Sequence, residues 1–309
     1  MTTDLADTGI RAGTRRGKTE RRRDTWVPYA FISPFYVLYV LFMIGPIVVA
    51  VWLSFCSWVG LGAPHWVGLR NYRLLATDVS FHRAMANTGY YVLVCMLVVV
   101  PAALLVAQAL NTRGLRVRDL WRTAYFLPTV VSPIVIALVF GLLFDQRFGL
   151  VNSAAHALFG TGGVDWLGDP TLAKVTIGLL MLWRWTGYLA VFFLAGLQNI
   201  PRELYEAAAL DGAGRLRSFT AVTLPALRPV TSFVAVTSFI AAAQIFDEPY
   251  LLTGGGPAES TMSVAMFIYR AAFQRQQFGY AAAAGVVLFL IVFAVSQLLN
   301  RLLGIGRVS

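Results

Sequence analysis

The chain has 309 residues, 58% of them hydrophobic and 13% charged, with a formal net charge of +10. Soluble domains carry about 25% charged and 45–50% apolar residues, so an ordinary soluble globular protein is excluded and a polytopic membrane protein is required. A basic chain invites a nucleic-acid partner, but a positive membrane-facing surface that meets anionic lipid accounts for the same excess, and no nucleic-acid partner is expected.

A crossing helix needs about 20 apolar residues. Six runs qualify, at residues 29–52, 88–110, 123–144, 172–197, 229–252 and 279–303. Residues 1–25 precede them. They are polar and basic, lack apolar periodicity, and are expected to form a disordered tail. Within the tail, residues 12–19 read AGTRRGKT and end in Gly17-Lys18-Thr19, as a phosphate-binding loop does. That loop needs a strand before it and a helix after it, so that aligned N–H groups cradle phosphate. Here the flanks are polar tail and Arg21-Arg22-Arg23, and Ala12 stands where the strict pattern has its first glycine. We read it as a chance match.

The first run, inside a segment at 26–58, is too long for a signal-peptide core and lacks a small-residue cleavage site, so it is expected to remain as a first span. An even number of spans puts both termini on one side. Of the 25 lysines and arginines, 17 then fall on the side of the termini. Six fall on the other side (Arg70, Arg73, Arg83, Arg147, Arg270 and Arg275), and Lys174 and Arg184 lie at or within the fourth run. The positive-inside rule makes the side of the termini cytoplasmic.

The fourth run contains Arg184. A mid-membrane arginine costs at least about 2.5–3.5 kcal/mol on insertion scales, so it marks either a function or a buried pair. Met181, Arg184, Trp185 and Tyr188 fall on one helical face. In the fifth run, Thr237, Ile240, Gln244, Asp247 and Glu248 do the same. Together these faces offer aromatic rings, a guanidinium, an amide and carboxylates. Such groups suit a sugar, whose ring has an apolar face and a hydroxyl edge. The alternative is a structural lock, Arg184 paired with Asp247 or with Glu248.

Between these runs, residues 198–229 form a long, moderately polar cytoplasmic connection containing EAAALDGAGRLRSFTAVTLPALRP. Pro201 suits a first helical turn. Ala207 and Ala208 are strong helix formers with little bulk, and Asp211-Gly212 signals a sharp bend in which Gly212 takes positive φ. Leu216, Phe219 and Val222 predict a second short helix with an apolar stripe. Leu224 and Pro225 precede the return to the membrane. His65, His82 and His156 lie without ligand spacing, so no metal site is expected, and Cys56 and Cys95 suggest no disulfide. No nucleophile–base arrangement is evident.

The cytoplasmic pattern of E-A-A, then D-G-A, then T-L-P, resembles the EAA loop of ABC importer permeases. Three further segments extend the likeness: WVGLRNYRLL with FHRAMANT at 66–88, RTAYFLPTVVSPIVIALVF at 122–140, and PYLLTGGGP at 249–257. These are similar to the MalF-type permease subunit of carbohydrate importers. The maltose member itself has extra N-terminal spans and a large periplasmic insertion that are missing here.

The resemblance implies an all-α, six-span membrane protein with a MetI-like permease core over 84–309, in a bacterial inner membrane. It implies a second permease subunit, two ATPase subunits that carry the ATP and Mg, and an extracytoplasmic solute-binding protein. No cofactor and no enzymatic activity are expected on this chain. It further implies that Glu206, Ala207, Ala208, Asp211, Gly212, Leu224 and Pro225 couple to the ATPase. Arg184, Trp185, Tyr188, Gln244 and Asp247 are the candidate sugar path. A permease for a non-sugar solute such as glycerol 3-phosphate is the second expectation, because Arg184 could meet an anion. A secondary transporter is the third, and neither internal repeats nor well-placed mid-membrane carboxylates favour it.

Overall fold

The computed structural model describes residues 27–112, 118–160 and 163–303. The basic tail and its AGTRRGKT stretch lie outside the described residues. The chain divides into two units, Met1–Ala50 and Val51–Ser309. The first unit holds most of helix α1, which runs as Val27–Tyr39, a π-helical turn Val40–Ile44 and Gly45–Leu53. Its large apolar side chains are exposed, Phe31 at 82% and Phe42 at 72%. The helix stops at Leu53, and Cys56–Ser57 already pairs with His65–Trp66 as a two-stranded antiparallel ribbon. The first membrane helix is therefore shorter than the segment 26–58 expected for it.

The second unit continues with α2 (Arg70–Thr77) and α3, which comprises Val79–Val94, a π turn Cys95–Val99 and Val100–Asn111. Next come α4 (Arg118–Val130), α5 (Pro133–Leu143), α6 (Leu150–Phe159) and α7 (Pro170–Gln198). The connection at 198–229 contains α8 (Arg202–Leu210) and α9, made of Arg215–Ser218, a π turn Phe219–Thr223 and Leu224–Ala226. The chain then forms α10 (Arg228–Ala243), α11 (Asp247–Thr253), α12 (Val264–Tyr269, with a π turn Arg270–Gln274) and α13 (Phe278–Leu303).

Three of these π turns share a cause. Pro46, Pro101 and Pro225 each stand two residues beyond the end of one. A proline donates no N–H to the carbonyl four residues back, and its ring crowds that carbonyl. One extra residue in the preceding turn relieves the crowding without breaking the helix.

Among the described residues, four helices are long and apolar enough to cross a membrane: Pro28–Leu53, Val79–Asn111, Pro170–Gln198 and Phe278–Leu303. The third and fifth expected spans are broken, and with each bent pair taken as one span the described residues hold up to six, as expected. The third bends by 102° between Leu120–Val130 and Pro133–Leu143. Pro133 opens α5, and the residue before it, Ser132, is extended at φ −56°, ψ 135°, as a pre-proline residue prefers. In the fifth, α10 has 16 residues and so spans only about 24 Å. Pro249 cannot bond the Ile245 carbonyl, and the helix restarts at Asp247 after a break at Phe246 (φ −133°, ψ −52°).

The second helix begins at Val79 rather than at residue 88. Asp78 caps it, its Oδ1 accepting from the Ser80 and Phe81 N–H groups at 2.8 and 3.2 Å. Phe81, Ala84, Asn87 and Thr88 on this first stretch are buried in protein, which is why a polar-looking segment remains helical.

The core runs along α3 and α7. Ala103 and Ala107 on α3 are fully buried, in one cluster with Ile177, Met181, Phe193 and Leu197 of α7. Small residues one turn apart let membrane helices approach closely. Gly187 does the same for α4 and α7: a Cβ there would sit 1.7 Å from the Tyr125 carbonyl oxygen. The chain after α11 is tied to α3. Asn87 Nδ2 donates to the Glu259 and Met262 carbonyls at 2.9 and 3.0 Å, and the Tyr91 hydroxyl donates to Thr261 O at 3.0 Å. These bonds fix the far end of α11, and with it the position of Glu248.

A cavity between α4, α7, α10 and α11

Arg184, Trp185 and Tyr188 on α7 face the C-terminal end of α10 and the start of α11 across a cavity of about 570 Å³. The volume lies within the range of small-molecule sites. Thr237, Ser238 and Gln244 line it from α10, Asp247 and Glu248 from α11, and Thr129 from α4. The five candidate sugar-path residues therefore border one space. Met181 is buried in the core instead, and Ile240 packs against a separate apolar cluster with Phe239 and Phe267. Because the fifth span breaks, its polar residues do not form one helical face. Gln244 ends α10, and Asp247 and Glu248 reach the cavity from the next helix.

Arg184 Nη1 bonds Glu248 Oε1 at 3.0 Å, and Trp185 Nε1 donates to the same oxygen at 3.0 Å. The side chains are 20% and 5% exposed. Two donors on one carboxylate oxygen, from adjacent residues of α7, hold α11 against α7. The partner of Arg184 is Glu248, while the Asp247 carboxylate makes no hydrogen bond or ion pair among the described residues. Glu248 was absent from the candidate sugar path, because sequence alone does not set the phase of a helix that restarts after a break.

Rings wall the rest of the space. Tyr188 meets Phe192 edge-on at 5.2 Å, and Phe192 meets Phe233 at 5.6 Å. Phe246 stacks on Tyr250 at 4.9 Å. Two hydroxyl oxygens of residues on the wall, Thr129 Oγ1 and Ser238 Oγ, are buried and have no hydrogen-bond partner among the described residues. Buried polar groups are nearly always paired, so each such orphan calls for an explanation. Sequence reasoning passed over both, since a hydroxyl in a membrane helix ordinarily bonds a carbonyl one turn back.

The connection at 198–229 is a second surface. Glu206 and Ala207 on α8 are exposed, and Ala208 is half-buried. Leu210 is 90% exposed, and Leu216 on α9 is also bared. The helix ends as a Schellman motif: Ala213 N–H donates to Ala208 O at 2.9 Å and Gly212 N–H to Ala209 O at 3.0 Å, with Gly212 at φ +72°. Tyr205 and Thr223 share a 3.0 Å hydroxyl contact that braces α8 against α9. Leu224 and Pro225 are exposed beside them. Among the described residues no cluster of His, Cys, Asp or Glu has a metal-binding arrangement.

Helices long enough to span a membrane, a cavity with aromatic and polar walls, and a structured helix–bend–helix connection fit a membrane transport subunit. The chain belongs to the family of binding-protein-dependent transport system inner membrane components, whose model matches residues 99–304, and it is an ABC transporter permease. It is 37% identical over 293 residues to the lactose transport system permease protein LacF of Rhizobium radiobacter, covering 93% of this chain and 97% of that one. It is 34% identical over 279 residues to the arabinooligosaccharides transport system permease protein AraP of Bacillus subtilis (strain 168), covering 90% and 88%. Its fold matches a chain from the crystal structure of a bacterial ABC transporter that imports the acidic polysaccharide alginate. The TM-score is 0.81 at 23% identity, over 94% of this chain and 98% of the other.

Proposed function

We propose that the chain is the translocating subunit of an ATP-driven carbohydrate importer and that the sugar crosses through the cavity between α7, α10 and α11. The observation that carries this reading is the cavity itself. Trp185, Tyr188 and Phe192 offer apolar faces, while the exposed Gln244 and Asp247 offer partners for sugar hydroxyls in the same space. The names of the relatives, lactose and arabinooligosaccharide permeases among them, support the same solute class. The exposed ridge of α8 and α9 supports docking of an ATPase there, with Glu206, Ala207, Ala208, Asp211, Gly212, Leu224 and Pro225 as the coupling surface.

In this reading both termini are cytoplasmic and the chain performs no covalent chemistry. ATP and Mg bind on two ATPase subunits, a second permease subunit completes the pathway, and an extracytoplasmic binding protein delivers the sugar. The exposed apolar side of α1 meets lipid or the second permease. The test is deletion of the gene, followed by uptake of a panel of labelled mono- and oligosaccharides. Loss of uptake of one sugar, restored by the wild-type gene, is the expected result. Unchanged uptake of every carbohydrate, with loss of a non-sugar solute, would overturn the sugar assignment.

A further inference from the structure

The relatives and structural neighbours are named for neutral and acidic solutes alike, lactose for LacF and the acidic polysaccharide alginate for the importer whose fold is shared. The sign of the charge in the cavity therefore bears on the solute. The charged side chains that line it are Arg184, Asp247 and Glu248. Arg184 is spent on Glu248 at 3.0 Å, and Trp185 donates its indole N–H to the same carboxylate oxygen. Glu248 is 5% exposed, so the neutralised pair forms part of the wall. Asp247 is exposed, and its carboxylate is unpaired among the described residues. One arginine against two carboxylates leaves a single net negative charge, and it belongs to the group that is free to meet a solute.

The remaining polar groups are neutral. Thr129 Oγ1 and Ser238 Oγ are orphaned on the wall, and Ser238 is 3% exposed. The Gln244 side chain is exposed on the same wall. Hydroxyls and an amide both donate and accept, as a polyol does. A like charge brought beside Asp247 in a confined, partly dehydrated space is repelled.

We infer that this cavity selects uncharged carbohydrates and rejects anionic ones such as uronates, aldonates and phosphorylated sugars. Asp247 is the residue that excludes anions, and Glu248 keeps the Arg184 guanidinium from attracting them. The inference rests on the proposed reading that the solute occupies this cavity. It also removes the main reason to expect a glycerol phosphate there, which was a free Arg184.

The test uses the assembled complex, purified without its binding protein so that the selectivity of that protein plays no part. Ala241→Cys places a thiol on the cavity wall at a position with no proposed contact to the solute, while the native Cys56 and Cys95 are buried. The rate of its modification by a small water-soluble thiol reagent is measured with lactose, maltose or cellobiose, and with lactobionate, maltobionate or cellobionate. We expect at least one neutral disaccharide to protect the thiol, with its aldonate protecting about tenfold less. Asp247→Asn should close that gap, and Glu248→Gln should narrow it by releasing Arg184.

If Glu248→Gln fails to assemble, Asp247→Asn alone decides, because that side chain is exposed and unpaired. Equal protection by an aldonate and its parent overturns the charge selection and leaves the cavity as a sugar site. A gap unchanged in Asp247→Asn overturns the role of Asp247. No protection by any of the six compounds removes the reading of the cavity as the solute site, and the inference falls with it.

Discussion

Ser238 and Arg184 show what single residues contribute. The Ser238 hydroxyl is buried without a partner, a condition that costs the folded protein about 1–3 kcal/mol. If that hydroxyl serves a sugar, Ser238→Ala should leave the thermal stability of the complex unchanged or raised. It should also raise the KM for uptake about fivefold, the equivalent of one hydrogen bond of about 1 kcal/mol. A drop in stability with unchanged KM would make the hydroxyl structural. Arg184 behaves in the opposite way. Arg184→Met leaves Glu248 buried with only the Trp185 N–H, and removing one partner of a buried pair costs about 3–5 kcal/mol. Replacing both, as Arg184→Met with Glu248→Met, should recover most of the lost stability, because a buried pair exchanged for apolar side chains is nearly neutral. The measurement is the melting temperature of the purified complex, and a double variant no better than the single one would argue against the lock.

At the scale of elements, the bend after α8 carries the coupling proposal. Gly212 has φ +72°, and a Cβ there would meet nothing of this chain within 4 Å. Its requirement is therefore conformational. A β-branched residue in the left-handed region is strained by about 1–2 kcal/mol, whereas asparagine visits that region readily. Gly212→Val should lower binding-protein-stimulated ATP hydrolysis in proteoliposomes, and Gly212→Asn should retain most of it. Equal activity of the two would show that the bend does not transmit coupling.

The same scale shows what could be read without coordinates. The spans at 29–52, 172–197 and 279–303 were legible because apolar length alone marks them, and the helix–bend–helix at 198–229 was legible because alanines, a glycine and prolines carry local backbone preferences. The breaks at Pro133 and near Pro249 were not, since hydropathy sums over a window and ignores one missing N–H. Arg184 and Trp185 stood out against an apolar run. Thr129 and Ser238 did not, because only three-dimensional geometry shows that a hydroxyl has lost its carbonyl.

On the scale of the whole molecule, topology and pathway belong together. In the proposed topology, the excess of arginine on one side of the spans assigns α8 and α9 to the cytoplasmic side. A cysteine introduced at Gly214 should be labelled by an impermeant reagent only in inverted vesicles, and one at Phe148, which is 86% exposed, only in intact cells. Labelling of the Gly214→Cys variant in intact cells would reverse the orientation and with it the coupling surface. The central claim is that solute passes through the cavity bordered by α7, α10 and α11. Its most direct measurement is ATP-driven sugar uptake by the reconstituted complex carrying Ala241→Cys, before and after the thiol is attached to a bulky, water-soluble group. The account predicts that uptake is abolished in proportion to modification while the ATPase subunits stay bound. Complete modification with undiminished uptake would contradict it.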